Sequence, residues 1–228
     1  MSDGQTRRPR EWWFTQLTLF LWAWMLLAPR LADRWLVQLL LQVFLLNAVL
    51  MTLRVNPEWR TIRGVIIGLW LATLAATIAG FAPLPEDWHW MLSGFEAVAI
   101  VPLLALLAGG VLRFVYRSRR LTIDGIFATI VVYMIIALAF TQIYLLLIGS
   151  NPESFALPVP VAQRTPHLLH IDMVYYSLIT QCSVGYGDIL PRSDAARMLA
   201  VIQAVIGQFY MAVVVAVFVG MFATQRRE

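Results

Sequence analysis

The chain has 228 residues, 60% of them hydrophobic and only 13% charged, with a mean hydropathy of +0.73 and a net charge of +4. That composition lies outside the soluble range and predicts an all-α membrane protein with no room for a sizeable soluble domain. A single cysteine, Cys182, excludes both an internal disulfide framework and a cysteine-built zinc site.

A helix needs about 20 mainly apolar residues to cross a hydrocarbon core of roughly 30 Å. Apolar runs able to do so lie at residues 12–29, 34–53, 64–84, 90–112, 125–149 and 195–223, so six crossings are predicted. The first run follows Arg7, Arg8 and Arg10. It is longer than a signal-peptide core and a second run follows at once, so it is taken as a mature helix.

All 17 basic residues are arginines, placed in short groups beside the apolar runs rather than on one basic face. The pattern points to membrane orientation and away from nucleic acid. With a cytoplasmic N-terminus, twelve arginines fall inside (Arg7, Arg8, Arg10, Arg54, Arg60, Arg63, Arg113, Arg117, Arg119, Arg120, Arg226, Arg227) and five outside (Arg30, Arg34, Arg164, Arg192, Arg197). The positive-inside rule then predicts a multi-pass plasma (inner) membrane protein with both termini in the cytoplasm. Trp12, Trp13, Trp35, Trp59, Trp88 and Trp90 lie near predicted span ends, the headgroup level that indoles prefer.

The organisation expected is a cytoplasmic N-terminus (1–11), a peripheral four-helix domain (12–120), a domain of two spans and their connection (121–224) and a short tail (225–228). That connection, residues 150–194, spans 45 residues and is too long for a turn. Its first part, 150–167, carries Pro152, Pro158, Pro160 and Pro166 and reads as an irregular outer turret. Residues 171–182 are mostly apolar, long enough for three helical turns and too short to cross, with Asp172 placed to favour a helix N-terminus. A re-entrant helix is predicted there, aiming its negative C-terminal end at the membrane centre, where a cation is stabilised.

Directly after it comes Thr180-Gln-Cys-Ser-Val-Gly-Tyr-Gly-Asp188. This string, followed by Pro191 and a last long span, resembles the bacterial six-transmembrane tetrameric potassium channel family, whose filter signature is Thr-Val-Gly-Tyr-Gly. The resemblance covers residues 125–223 and is specific only around the signature. It implies a voltage-gated-like fold: six spans, a re-entrant pore helix and a selectivity filter of Ser183, Val184, Gly185, Tyr186 and Gly187, in a homotetramer held in lipid. Carbonyl oxygens from four strands replace the water around potassium, with ion sites at Ser183, Val184, Gly185 and Tyr186. Gly185 and Gly187 supply the left-handed backbone that keeps successive carbonyls inward, while Val184 and Tyr186 point outward as packing. No cofactor is expected; potassium is the permeant ligand.

The departures from the signature matter. Ser183 stands where threonine is usual, keeping the hydroxyl and losing the methyl that restricts rotation, so a looser inner site is expected. Cys182 falls where a second threonine is common and is either a small packing residue or a redox switch. Ile179 occupies a position where some channels carry a carboxylate that partners the acid at Asp188. Tyr175 is then the local candidate to hold Asp188, or is plain aromatic packing. Thr180 completes the expected filter support.

In the last span, Gly207 follows Asp188 by nineteen residues, at the family's inner-helix glycine, and is read as a hinge or as a close-packing glycine. Helical spacing sets Gln208, Met211 and Val215 on one face, toward a cavity beneath the filter. Gln208 is either hydrated there or bonded to another helix. The fourth span has no arginine between Trp90 and Leu112, so weak or absent voltage dependence is expected. Glu96, inside that span, is a structural pair, a water-exposed site or a switch linked to protons or voltage. His167 and His170 flank the outer mouth and are silent or titrate near neutral pH. Few residues follow the last span, so ligand control is expected from a regulatory partner, lipid or the first four helices.

Other classes are a weakly selective monovalent cation channel, a non-conducting accessory subunit and a transporter. Transporters built on related loops repeat them within one chain; here there is one loop. No nucleotide loop, paired catalytic carboxylates, Ser-His-Asp grouping or zinc spacing supports an enzyme.

Overall fold

The computed structural model describes residues 12–28, 34–82, 86–117 and 122–225. Among them run helices α1 (Trp13–Leu27), α2 (Arg34–Val55), α3 (Arg60–Ala79), α4 (Glu86–Arg117), α5 (Ile123–Ser150), α6 (Pro166–Gln181) and α7 (Asp194–Gln225). Two short strands, β1 (Phe155–Ala156) and β2 (Leu190–Pro191), pair antiparallel, with Phe155 opposite Pro191 and Ala156 opposite Leu190. The predicted segment 1–11 and residues 226–228 of the predicted tail lie outside the described residues, as do Arg7, Arg8, Arg10, Arg30, Arg119, Arg120, Arg226 and Arg227.

The helices α2, α3, α4, α5 and α7 are long and apolar enough to cross a membrane, which makes this a multi-pass membrane protein. α1 has 15 residues, about 22 Å at the helical rise. That falls short of the roughly 30 Å of the hydrocarbon core, and the end of its predicted run, Pro29, lies outside the described residues.

Polar residues join the helices end to end. The Asp124 carboxylate, in the first turn of α5, accepts from the backbone N–H groups of Phe14 and Thr15 at 3.0 and 3.1 Å. Those donors have no partner within α1, so the acid of one helix caps another. Asn56, just past α2, donates its amide to the carbonyls of Thr52 and Gly110 at 3.0 and 3.1 Å, closing α2 and tying it to α4. At the same end Glu58 pairs with Arg113 at 3.1 Å and with Arg117.

Leu45, Ile66, Leu103 and Leu107 of α2, α3 and α4 are fully buried in one cluster that continues through Val131 and Ile135 of α5 to Val174 of α6. The peripheral helices and α5 thus share a core across the boundary predicted near residue 120. α7 differs from the other spans. Only 6% of its spanning window is buried within one chain, against 39% for α5, so much of its surface is left uncovered there.

The connection between α5 and α7 is more ordered than its prolines suggest. Thr165 caps α6, its hydroxyl accepting from Leu168 N–H, and Pro166 takes the first helical position. Pro at that position loses no bond, because the N–H it lacks has no helical acceptor. The helix therefore begins five residues before the predicted Ile171. Asp172 sits in its second turn, paired with Arg164 Nε at 2.9 Å, instead of at its N-terminus. Single 3-10 turns at Pro152–Ser154 and Val161–Gln163, with β1, organise the turret.

Candidate functional site

α6 ends in a cap that already belongs to the loop. Ser183 N–H donates to Thr180 O at 3.0 Å and Val184 N–H to Ile179 O at 2.9 Å, the paired bonds of a Schellman motif. That motif needs a left-handed residue just past the helix, and Ser183 adopts φ 56°. Glycine usually fills this place because it has no Cβ. Cys182 N–H donates to Leu178 O, and the Tyr133 hydroxyl donates to Gln181 O at 3.0 Å. All four last carbonyls of α6 are thereby satisfied.

Left-handed backbone then recurs at every second residue, with φ 54° at Gly185 and 81° at Gly187. The alternation extends one step further toward the helix than the glycines reveal, because Ser183 carries it too. Residues 182–188 are exposed in one chain, Tyr186 at 72% and Val184 at 52%.

Both ends of the loop are anchored. Beyond it, β2 pairs with β1, and Arg192 N–H donates to Ser154 O at 2.8 Å. Asp188 accepts the Tyr175 hydroxyl at 2.8 Å and caps Ile189 N–H through its other oxygen. The Tyr175 ring also stacks on Tyr186, centroids 6.4 Å apart and planes 10° from parallel. Tyr175 therefore both bonds the acid and packs on the loop. Thr180 contributes its carbonyl to the cap, and the Cys182 sulfur lies 3.5 Å from the Tyr133 hydroxyl.

α7 meets the loop from beneath. Gln208 Nε2 donates to Ser183 Oγ at 2.8 Å. Gly207, one residue earlier, is buried against the end of α6, and a Cβ there would lie 2.3 Å from Gln181 O. Met211 and Val215 follow on the exposed face of α7. Away from the loop, Glu96 accepts the Thr77 hydroxyl at 3.0 Å, and Thr77 in turn accepts from Gln42 at 2.8 Å. His167 and His170 line a cavity of about 420 Å³ between the peripheral helices and the turret, which Glu96 also borders.

The residues that sequence reasoning missed are Tyr133 and Gln181, whose side chains pin the last turn of α6 to α5. A glutamine next to a signature string is the one signal that pointed there.

Residues 126–224 match the family model described as Ion channel. Protein LctB of Bacillus caldotenax is 32% identical over 102 residues, which make up 44% of this chain and 75% of LctB. Protein LctB of Geobacillus stearothermophilus is 31% identical with the same coverage. No solved structure matches. The matched region holds α6, the loop with its left-handed alternation and α7, and the chain belongs to the ion channel family.

Proposed function

We propose that this chain is one subunit of a potassium channel in which four copies bring residues 183–187 together around a common axis. The observation that carries the reading is the alternation of left-handed backbone at Ser183, Gly185 and Gly187. It turns successive carbonyl oxygens to one side, and one strand offers only one oxygen per layer, so a cage that replaces a hydration shell needs several strands. Closed rotational symmetry supplies them from identical chains.

The unpartnered α7 supports the same assembly. Met198, Val201, Val205 and Phe209 are each about half exposed or more in one chain, an apolar helix face with no neighbour of its own. Copies packed through it would surround the loop with protein and leave a water-filled space below, lined by Gln208, Met211 and Val215. The α6 dipole would favour a cation in that space. The arginine distribution supports a plasma-membrane protein with both termini in the cytoplasm.

Purified protein recorded in bilayers, with potassium on one side and sodium on the other, tests the reading together with a mass measurement in detergent. Reversal near the potassium equilibrium potential and a four-chain mass are expected. Absence of current, or another stoichiometry, overturns it. Ser183 favours a second reading, a weakly selective monovalent cation channel, because serine lacks the methyl by which threonine restricts rotation. Equal potassium and sodium permeability would select that one.

A further inference from the structure

Gln203, deep in α7, is fully buried. Its Nε2 lies 2.7 Å from the Ser177 hydroxyl oxygen, 3.1 Å from the Ser177 carbonyl and 3.2 Å from Gln181 Oε1. Its Oε1 accepts the Tyr144 hydroxyl at 2.7 Å. The Ser177 hydroxyl donates to the Ala137 carbonyl at 2.7 Å, and Gln181 Nε2 donates to the Tyr133 carbonyl at 2.7 Å. One largely buried network therefore joins α5, α6 and α7 directly behind the loop.

Adhesion does not require it. Apolar helices in lipid hold together by close packing, and a leucine of similar size would fill the same space. What the amide adds is direction, because each bond is satisfied at one rotation and one height of α6 only. Gln203, Ser177, Gln181 and Tyr144 are fully buried, so each member left unpaired is penalised, and a satisfied network is correspondingly rigid. Gln181 lies two residues before Ser183, and its carbonyl faces the site of the missing Gly207 Cβ.

We infer that Gln203 is a positioning residue for ion selection: through Ser177 and Gln181 it fixes the last turn of α6 and hence the spacing of the oxygens in residues 183–187. The inference rests on the potassium-channel reading above. It assigns the selectivity of the loop partly to a side chain that touches no ion.

The test compares wild type with Gln203→Leu and Tyr144→Phe in bilayers under the same potassium and sodium gradient, with the mass of each measured in detergent. Gln203→Leu is expected to assemble at the wild-type mass and to lose about tenfold in potassium-to-sodium permeability ratio. Tyr144→Phe, which removes one bond, should lose about threefold. A variant that melts lower yet keeps the wild-type ratio overturns the inference, since a merely structural residue would behave so. If Gln203→Leu fails to assemble, Tyr144→Phe decides, and an unchanged ratio there overturns the inference. A selective wild type with equally selective variants defeats this inference alone, whereas an unselective wild type defeats the potassium-channel reading with it.

Discussion

Gln208 donates its amide to the Ser183 hydroxyl at 2.8 Å, so α7 touches the residue that both caps α6 and begins the left-handed alternation. A serine rotates freely about χ1 where a β-branched threonine does not, and this bond supplies the missing restraint. Serine also suits the site's backbone, since a β-branched residue at φ near 56° is crowded. Loss of the bond should lower the potassium-to-sodium permeability ratio about threefold in Gln208→Leu, as for a single hydrogen bond partly open to water. Ser183→Ala removes the same bond, so the double variant should lose no more than Ser183→Ala alone. Additive losses in reversal potential would show that the two side chains act separately.

Gly207 allows α7 to reach the end of α6. A methyl there would sit 2.3 Å from the Gln181 carbonyl oxygen and 2.9 Å from its Cγ, and the backbone oxygen cannot swing away. Gly207→Ala should therefore destabilise the assembly by about 1–3 kcal/mol, the usual range for overpacking a tight contact. Thermal melting of the detergent-solubilised oligomer checks this. Unchanged melting with an altered open probability would instead identify a hinge.

Tyr175 holds Asp188 by its hydroxyl at 2.8 Å and Tyr186 by its ring. Tyr175→Phe separates the two, keeping the stack and removing the bond. The Asp188 end of the loop should then hold its shape less well, and current during sustained conduction should decay about two- to fivefold faster. Identical decay in the variant would assign the work to the ring alone.

The long apolar spans were legible because hydrocarbon thickness sets length directly. The run predicted at 34–53 becomes the helix Arg34–Val55, and that at 195–223 becomes Asp194–Gln225. The loop was legible through its glycines, which reveal φ by composition. Ser183 shares their conformation and was hidden, because its side chain says nothing of a cap formed by Thr180 and Ile179. The true start of α6 was concealed among prolines read as turret, although Thr165 followed by Pro166 is a helix-start signal. Strands of two residues are too short to show alternation. Contacts between Gln181 and Gln203, 22 residues apart, follow only from how α6 and α7 cross.

Glu58 makes the end of the peripheral helices where α2 and α4 meet sensitive to acid. Its carboxyl is held below the usual 4.5 chiefly by the hydrogen bond from Arg117, which burial opposes and the charges of Arg113 and Arg117 reinforce. A depressed folded-state value means stability present above the unfolded-state value and lost as pH falls through the folded one. The pair is exposed, so its contribution is small and screened by salt. At low ionic strength and pH 7 wild type should melt slightly above Glu58→Gln, and the difference should close below the usual carboxylate range. A difference that persists in strong acid would mean that Glu58 acts through packing.

Voltage should move this channel little. A charge carried through the whole field contributes about 2.3 kcal/mol per 100 mV, so steep gating needs several charges inside the span that moves. In α4 the spanning stretch Gly94–Arg117 holds Arg113 and Arg117 only in its last turns, and both are paired with Glu58 beyond the end of α2. Charges tethered at the edge of the field cross almost none of it. Glu96, the one acid in that stretch, is hydrogen-bonded by Thr77 of the neighbouring α3. Conductance of the reconstituted protein should therefore change gently between about −100 and +100 mV, by less than a single full gating charge would give. A curve as steep as several charges require would overturn this, and it would point to a rearrangement of α4 that breaks the pairs with Glu58.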